Sequence, residues 1–308
     1  MRVAAVDLGT NTTRLLVADV DDGRVDEVHR ETHITRLGEG VDARKRLLPV
    51  PIARVRNVLA DYRRTLERLG AERTLAVATS AVRDAENGEA FLGEIEWSYG
   101  FETLLVSGDD EALLTRRGVQ PAPGTLVLDI GGGSTELIVD DFHASLDLGS
   151  VRYTERYIHT DPPGAAELDA CATAVRSVLE ERVPVGVKQA IGVAGTVTTL
   201  AALDLGLDAY DRERVLHGHR LTLQGAKHQL ARLAALPLAE RREVPALDPE
   251  RAPVIVAGAV ILTETLAFFG LDAIVVSEHD ILDGIALAAA ELPVPEEGAA
   301  PPGAYTCC

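Results

Sequence analysis

Two stretches of the chain repeat one another. "VDLGTNTTRLLV" (Val6 to Val17) lies over "LDIGGGSTELIV" (Leu128 to Val139) at a constant offset of 122 positions. Asp7 falls on Asp129 and Gly9 on Gly131. Thr12 falls on Ser134, Thr13 on Thr135, Leu15 on Leu137 and Val17 on Val139, while Arg14 stands opposite Glu136. Each copy reads as strand, glycine turn and strand. A second tight turn ("DVDDG", "DDF") and a third strand come after each, the signature of an antiparallel meander. One supersecondary unit occurring twice predicts two related domains.

Beyond each meander the chain is α/β in character. Val55, Val58, Leu59, Tyr62, Leu66 and Leu69 recur at helical spacing. "RTLAVATS" then reads as a buried strand, "AFLGEIEWSYG" as a helix, "FETLLVSG" as a strand and "DDEALLTRRGV" as a helix opened by acids. In the second half, Pro163 to Val183, Thr196 to Leu203 and Pro253 to Phe269 read as helices. Gln189 to Val193 and Asp272 to Ser277 read as strands, and "HDILDGIALAAAEL" as a final helix. Strands alternating with helices predict two similar α/β domains, with a cleft between them as the favoured ligand site. The expected boundaries are 1–122 and 123–279. A terminal helix at about 280–292 packs back on the first domain, and 293–308 forms a disordered tail.

Composition narrows the function classes. With 30 Lys and Arg against 48 Asp and Glu, the net charge of −18 argues against nucleic acid, whose binding rests on phosphate neutralisation by basic residues. No apolar run reaches the roughly 18 residues of a membrane span. The N-terminus lacks a signal peptide's pattern, so a cytoplasmic protein is expected. Cys171, alone in a helical pattern, reads as a small buried hydrophobe, and the Cys307–Cys308 pair as an incidental part of the tail.

The glycine turns carry the chemistry. A backbone without side chains can bring several N–H groups onto one anion, and neighbouring hydroxyls add to it. Gly131, Gly132, Gly133, Ser134 and Thr135 have that character, and so do Gly9, Thr10, Asn11 and Thr12. Carboxylates beside phosphate repel it unless they hold a bridging cation, most often Mg²⁺ through water. Asp7, Asp129 and Glu136 are placed for this. The alternative, ordinary hairpin turns with glycines for positive φ, explains one copy as well as a phosphate site does. Two copies, each behind an aspartate at a strand end, favour phosphate. A third turn, "GVAGTVTTLAA", leaves Gly195 and Thr196 where helix N–H groups are free.

These three elements together resemble the actin-like ATPase superfamily. The fold that resemblance implies is two related actin-like (ribonuclease H-like) domains with an interdomain cleft. "ATSAVRDAENG", "VSGDDEALLTRRGV", "HGHRLT" and "VSEHDILDGIAL" narrow it. In that order they resemble the exopolyphosphatase and guanosine pentaphosphate phosphohydrolase family, from Arg2 to about Leu292, in its short two-domain form. The resemblance implies Glu111 as catalytic base and Arg83 as a phosphate-chain contact. Apart from the resemblance, Glu111 reads as an acid stabilising a helix N-terminus, as Asp109 and Asp110 do, and Arg83 as a surface residue paired with Asp84 or Glu86. Arg14 contacts phosphate or lies on the strand's outer face. Arg36, Arg116, Arg117, Lys188 and Arg251 are weaker candidates for a basic lining, and His217 and His219 read as structural.

The leading expectation is a Mg²⁺-dependent hydrolase that releases terminal phosphate from inorganic polyphosphate. Guanosine pentaphosphate (pppGpp) is the second substrate reading. A superfamily kinase, or a polyphosphate or nucleotide sensor that binds without turnover, is the reading from another class. Pairing of two subunits, a homodimer, could replace the guiding surface of the longer family members.

Overall fold

A computed structural model describes residues 1–182, 186–209 and 216–293. The expected tail, with Cys307 and Cys308, lies outside the described residues from 294 onward. The chain divides into two compact units, Met1–Gly118 together with the chain from Ile281, and Val119–Asp280.

In the first unit, β1 (Arg2–Leu8), β2 (Thr12–Asp21) and β3 (Arg24–Ile34) form the antiparallel meander. The turn between β2 and β3 is Asp22-Gly23, with φ of 47° and 77°. Positive φ at both central residues matches the twist of the flanking strands, which is why Asp-Gly serves here. β4 (Arg73–Ala78) and β5 (Glu102–Leu105) join in parallel, giving the order β3-β2-β1-β4-β5.

β1 is apolar almost throughout because both of its faces are covered. Ala4, Val6 and Leu8 meet Val55, Leu59, Tyr62 and Leu66 of α2 (Pro49–Leu69). Phe91, Leu92 and Ile95 of α4 (Gly88–Tyr99) belong to the same cluster. Val3 and Ala5 face the other way, into Leu282, Ile285 and Ala286 of the last described helix, α12 (Ile281–Glu291). Each such aliphatic side chain contributes about 1.5–3 kcal/mol when fully buried. α12 is therefore a layer of the first unit, far from it in sequence. It carries an ion pair as well: Asp283 accepts from Arg30 of β3 at 3.1 Å, both nearly buried.

The second unit repeats the order. β6 (Thr125–Ile130), β7 (Thr135–Val139) and β8 (Phe142–Leu146) form the meander. β9 (Gln189–Val193) and β11 (Ala273–Val276) add in parallel, and the short β10 (Arg220–Thr222) closes the edge antiparallel. The sheet reads β10-β11-β9-β6-β7-β8, the first sheet's order with one strand added. Its core is organised by α11 (Ile255–Phe268), largely apolar and buried along most of its length, against α7 (Ala165–Arg182) and α8 (Ala194–Asp204). Cys171 sits in this core as expected, its thiol pushed up to about 12 by burial.

The α/β class and the division into two sheets of matching strand order are as the sequence indicates. Two substantial helices, α6 (Ser150–Tyr157) and α9 (Leu223–Ala235), have no counterpart in the sequence reading. The first is two turns long and comes soon after the strand. The second is begun by Thr222, whose hydroxyl accepts from the Gly225 N–H at 2.9 Å, a cap inside the "HGHRLT" motif. The single turn α10 (Leu238–Arg241) comes directly after it.

Gly284 is where α12 meets α5 (Gly108–Val119): a Cβ there would lie 1.9 Å from the Leu114 carbonyl oxygen. Backbone cannot yield as a side chain does, so Gly284→Ala is expected to lower unfolding stability by about 1–3 kcal/mol. A urea titration checks it. An unchanged midpoint would mean that α5 and α12 separate freely.

Candidate active site

In both units the glycine turn is closed by the same bond. The Gly9 N–H donates to the Thr12 carbonyl at 3.0 Å, and the Gly131 N–H to the Ser134 carbonyl at 3.0 Å. The flanking residues also match, Asp7 standing across the strands from Arg14 and Asp129 from Glu136. Thr13 and Thr135 are both fully buried braces. Thr13 Oγ1 bonds Thr35 Oγ1 at 2.9 Å, and the Thr135 hydroxyl donates to the Leu148 carbonyl. The Thr135 proton is thus committed to the fold. Tyr62, its phenol pushed up by burial, donates to the Thr13 carbonyl and holds the first turn from behind.

The second turn is oriented by α6. The N–H of Ser150 donates to the Gly131 carbonyl at 3.0 Å, and that of Val151 to the Gly132 carbonyl at 2.9 Å. Arg152, nearly buried, donates through Nε to the Gly133 carbonyl at 2.7 Å. In a planar trans peptide the C=O and the following N–H point opposite ways. With three carbonyls turned toward α6, the N–H groups of Gly132, Gly133 and Ser134 face the other side together. None of the three donates to a backbone carbonyl in the described turns and loops. Gly149 permits this approach, since a Cβ there would lie 2.2 Å from the Gly132 oxygen.

The first turn is held likewise by the loop after β3. Thr35 and Arg36 N–H donate to the Asn11 carbonyl at 3.0 and 2.9 Å, and Gly38 N–H to the Thr10 carbonyl at 2.8 Å. The Asn11 side chain is different: it is 5 % exposed, and both its polar atoms are buried with no hydrogen-bond partner among the described residues.

Parallel pairing brings further groups to the same sheet edges. In the second unit Asp129 pairs with Val193, so the Ala194-Gly195-Thr196 turn opening α8 lies beside the glycine turn. Arg251 rests on it, its Nη1 2.0 Å from where a Gly195 Cβ would stand. In the first unit Leu8 pairs with Ala78, and Ala78 with Leu105. α3 (Ser80–Arg83) and α5 therefore start at the edge where β1 gives way to its turn.

α5 separates its three acids. Asp110 is exposed and caps: its Oδ2 accepts from the Ser107 hydroxyl at 2.6 Å, and its N–H donates back to Ser107 Oγ at 3.1 Å. Asp109 is also exposed. Glu111 is turned inward, 8 % exposed, and accepts from Arg83 Nη1 at 3.2 Å. Arg83 also donates to the Val106 carbonyl at 3.0 Å, so its described partners are Glu111 and Val106, not Asp84 or Glu86. Arg14 is not on an outer face: its Nε and Nη2 both reach Asp7 Oδ2, at 2.9 and 2.8 Å.

Of the weaker candidates, Arg117 pairs with Glu291, and Lys188 precedes β9 at the edge away from the turns. Among the histidines, His217 Nδ1 accepts from the Glu278 N–H and packs edge-on against His279, while His219 stands 3.8 Å from Asp204. The sequence reading missed the braces: Gly38, Gly149 and Arg152. Gly149 had a signal in the "LDLGS" run that ends the second meander.

Asp129 and Glu136 are facing positions of an antiparallel pair, 7 % and 1 % exposed. Glu136 also accepts from the Ser145 hydroxyl at 2.9 Å, and the facing pair offers carboxylate oxygens to a cation. The donors are hard oxygens, which suit Mg²⁺. Among the described residues no three His, Cys, Asp or Glu side chains gather into a full cage. Mg²⁺ does not require one, since it keeps several waters and takes one or two carboxylates beside a phosphate.

The chain belongs to the Ppx/GppA phosphatase family, which it matches over residues 16–291. It is 40 % identical to Exopolyphosphatase 2 of Mycobacterium tuberculosis, covering 94 % of this chain and 98 % of that protein. Among solved structures, an exopolyphosphatase-like protein superposes with a TM-score of 0.87 at 35 % identity, over 93 % of this chain and 98 % of that one. The Aquifex aeolicus member of the Ppx/GppA family gives 0.78 at 30 %, over 94 % and 97 %. No described helix is long and apolar enough to cross a membrane.

A buried amide without a protein partner costs about 1–3 kcal/mol, and an apolar side chain of similar shape relieves it. Asn11→Leu is expected to leave unfolding stability unchanged or to raise it by about 1 kcal/mol. Urea denaturation is the measurement. A clear loss of stability would show that the amide braces the fold.

Proposed function

We propose that the chain is an exopolyphosphatase, a hydrolase that releases orthophosphate from the end of inorganic polyphosphate. The observation that carries this reading is the triplet of N–H groups at Gly132, Gly133 and Ser134, held to one side by α6, next to two buried facing carboxylates. The names of the relatives point the same way.

In this reading the N–H groups of Gly132, Gly133 and Ser134 receive phosphate oxygens, with those of Gly195 and Thr196 beside them. Gly9, Thr10, Asn11 and Thr12 form the matching receptor of the first unit, where the Asn11 amide supplies polar groups that the fold does not use. Preorganised amides stabilise charge that grows on phosphate oxygens during displacement. Asp129 and Glu136 would hold Mg²⁺ in the second unit, and Asp7 is the matching candidate ligand of the first; when bound, Mg²⁺ would neutralise phosphate charge and fix the chain's orientation.

Glu111 orients a water and takes its proton. The water oxygen bonds to the terminal phosphorus, the bridging P–O bond breaks, and the shortened chain leaves with the bridging oxygen. Arg83 holds Glu111 in place and offers remaining guanidinium donors to phosphate. Arg14, drawn onto Asp7, limits the negative charge at the first turn and is the second arginine available to phosphate. The reading carries with it a cytoplasmic enzyme, and a homodimer as the assembly that would extend its phosphate-binding surface.

Phosphate release in Mg²⁺ from tripolyphosphate, long-chain polyphosphate and guanosine pentaphosphate tests the reading. Release from polyphosphate is expected, and Glu111→Gln should lower kcat about 10²–10⁴-fold. Release from the nucleotide alone would make the protein a pentaphosphate phosphohydrolase. Binding without release from any of the three would make it a sensor. Because the chain carries −18, excess chelator should weaken polyphosphate binding at least about tenfold, as the proposed site then meets the phosphates without the cation's charge. Equal affinity with and without chelator in a binding titration would remove the metal from the proposal.

A further inference from the structure

The loop that holds the first turn carries an unusual run of charge. Residues 36–46, "RLGEGVDARKR", contain four cations and two carboxylates in a chain with a net charge of −18. One carboxylate, Glu39, is taken by Arg54 at 2.7 Å. Arg44, Lys45 and Arg46 are consecutive and exposed, and none of the three has an ion pair or side-chain hydrogen bond among the described residues. Elsewhere in the same unit arginines are held by carboxylates: Arg56 by Glu94, Arg63 by Glu67, Arg64 by Asp61 and Arg83 by Glu111. Three adjacent cations repel one another, an arrangement that a polyanion relieves.

The run is fixed on both sides to parts of the candidate site. Upstream, Gly38 lies so close to the first turn that a Cβ there would be 2.2 Å from Thr10 Cγ2, and its N–H bonds the Thr10 carbonyl. The single turn α1 (Val41–Arg44) comes at once after it. Downstream, the Lys45 carbonyl accepts from the Glu86 N–H at 2.8 Å. The Asn87 side chain clamps Leu47, accepting from its N–H at 2.8 Å and donating to its carbonyl at 3.1 Å. Glu86 and Asn87 lie just beyond Arg83 in the chain. The backbone of the run thus spans from the first phosphate turn to the segment carrying Arg83, and three long cationic side chains stand in solvent on it.

We propose that Arg44, Lys45 and Arg46 form a distal subsite for linear polyphosphate, taking phosphates further along the chain than those at the glycine turns. The proposal rests on the exopolyphosphatase reading and adds a determinant of chain-length preference to it. A short substrate ends before the run and gains nothing from it; a long one gains three charge contacts. Exposed contacts of this kind are individually weak, so the effect is read on all three together.

The test is the triple substitution Arg44→Gln, Lys45→Gln, Arg46→Gln, assayed with long-chain polyphosphate and tripolyphosphate in Mg²⁺ across a salt series. The ratio of kcat/KM for the long chain to that for tripolyphosphate should fall about tenfold, and the slope of long-chain affinity against salt should drop by about two to three. Arg68→Gln is the control. This exposed cation ends α2, about 30 Å along the helix from the run, and its loss should leave the ratio unchanged. An equal fall for both substrates, an unchanged ratio, or the same effect from Arg68→Gln would overturn the proposal.

Direct binding of long-chain polyphosphate to the same variants separates this proposal from the hydrolase reading. If the wild-type chain binds but releases no phosphate, and the triple variant binds less tightly, the subsite stands and the hydrolase reading falls. If the triple variant binds as the wild type does, the subsite falls whatever the turnover.

Discussion

Everything at the candidate site depends on which way a few peptide planes face. A glycine turn alone could present carbonyls as readily as N–H groups, and carbonyls would repel phosphate. In the second unit, α6 begins soon after the meander and takes the carbonyls of Gly131, Gly132 and Gly133. In the first unit the loop at residues 35–38 takes those of Thr10 and Asn11. The facing of the two turns is set by what lies behind them. That is why Gly149 and Gly38, which touch no substrate in the proposed reaction, tolerate so little bulk.

The two copies of the turn share a hydrogen bond, a register and a strand order, but not an electrostatic character. Asp7 faces Arg14, a paired couple; Asp129 faces Glu136, two acids in the same frame. One difference at one matching position, arginine at 14 against glutamate at 136, separates the two turns. In the proposed reading the strongly acidic chain would meet a polyanion through main-chain dipoles, a few arginines and Mg²⁺.

Much of this was legible in the sequence because it is periodic. The 122-residue offset located both meanders and matched each turn residue correctly, and apolar spacing found the long helices such as α2 and α11. What escaped was made by contacts distant in sequence or by short elements. α6 is eight residues long and half polar, and its role is visible only once the Gly132 carbonyl is seen to accept from Val151. Arg83 reads as a partner of Asp84 or Glu86 by proximity along the chain, yet parallel pairing of β4 and β5 brings it to Glu111, 28 residues on. Burial, too, distinguishes Glu111 from Asp109 and Asp110, and no local pattern in "SGDDEA" does so. The resemblance singled out Glu111; the structure sets it apart by burial and by its bond to Arg83.

α12 has a consequence for how the protein is made. The second unit is continuous in sequence and leaves a ribosome whole once Asp280 has emerged. The first unit is not: one face of its sheet, with Val3, Ala5, Leu16, Ala18 and Val77, stays uncovered until the last described helix is synthesised. The N-terminal domain begins first and finishes last, against the usual order in which domains mature as they appear. During that interval the apolar face is a target for chaperones, and a transcript truncated before Ile281 yields a chain with its later domain complete and its earlier one open.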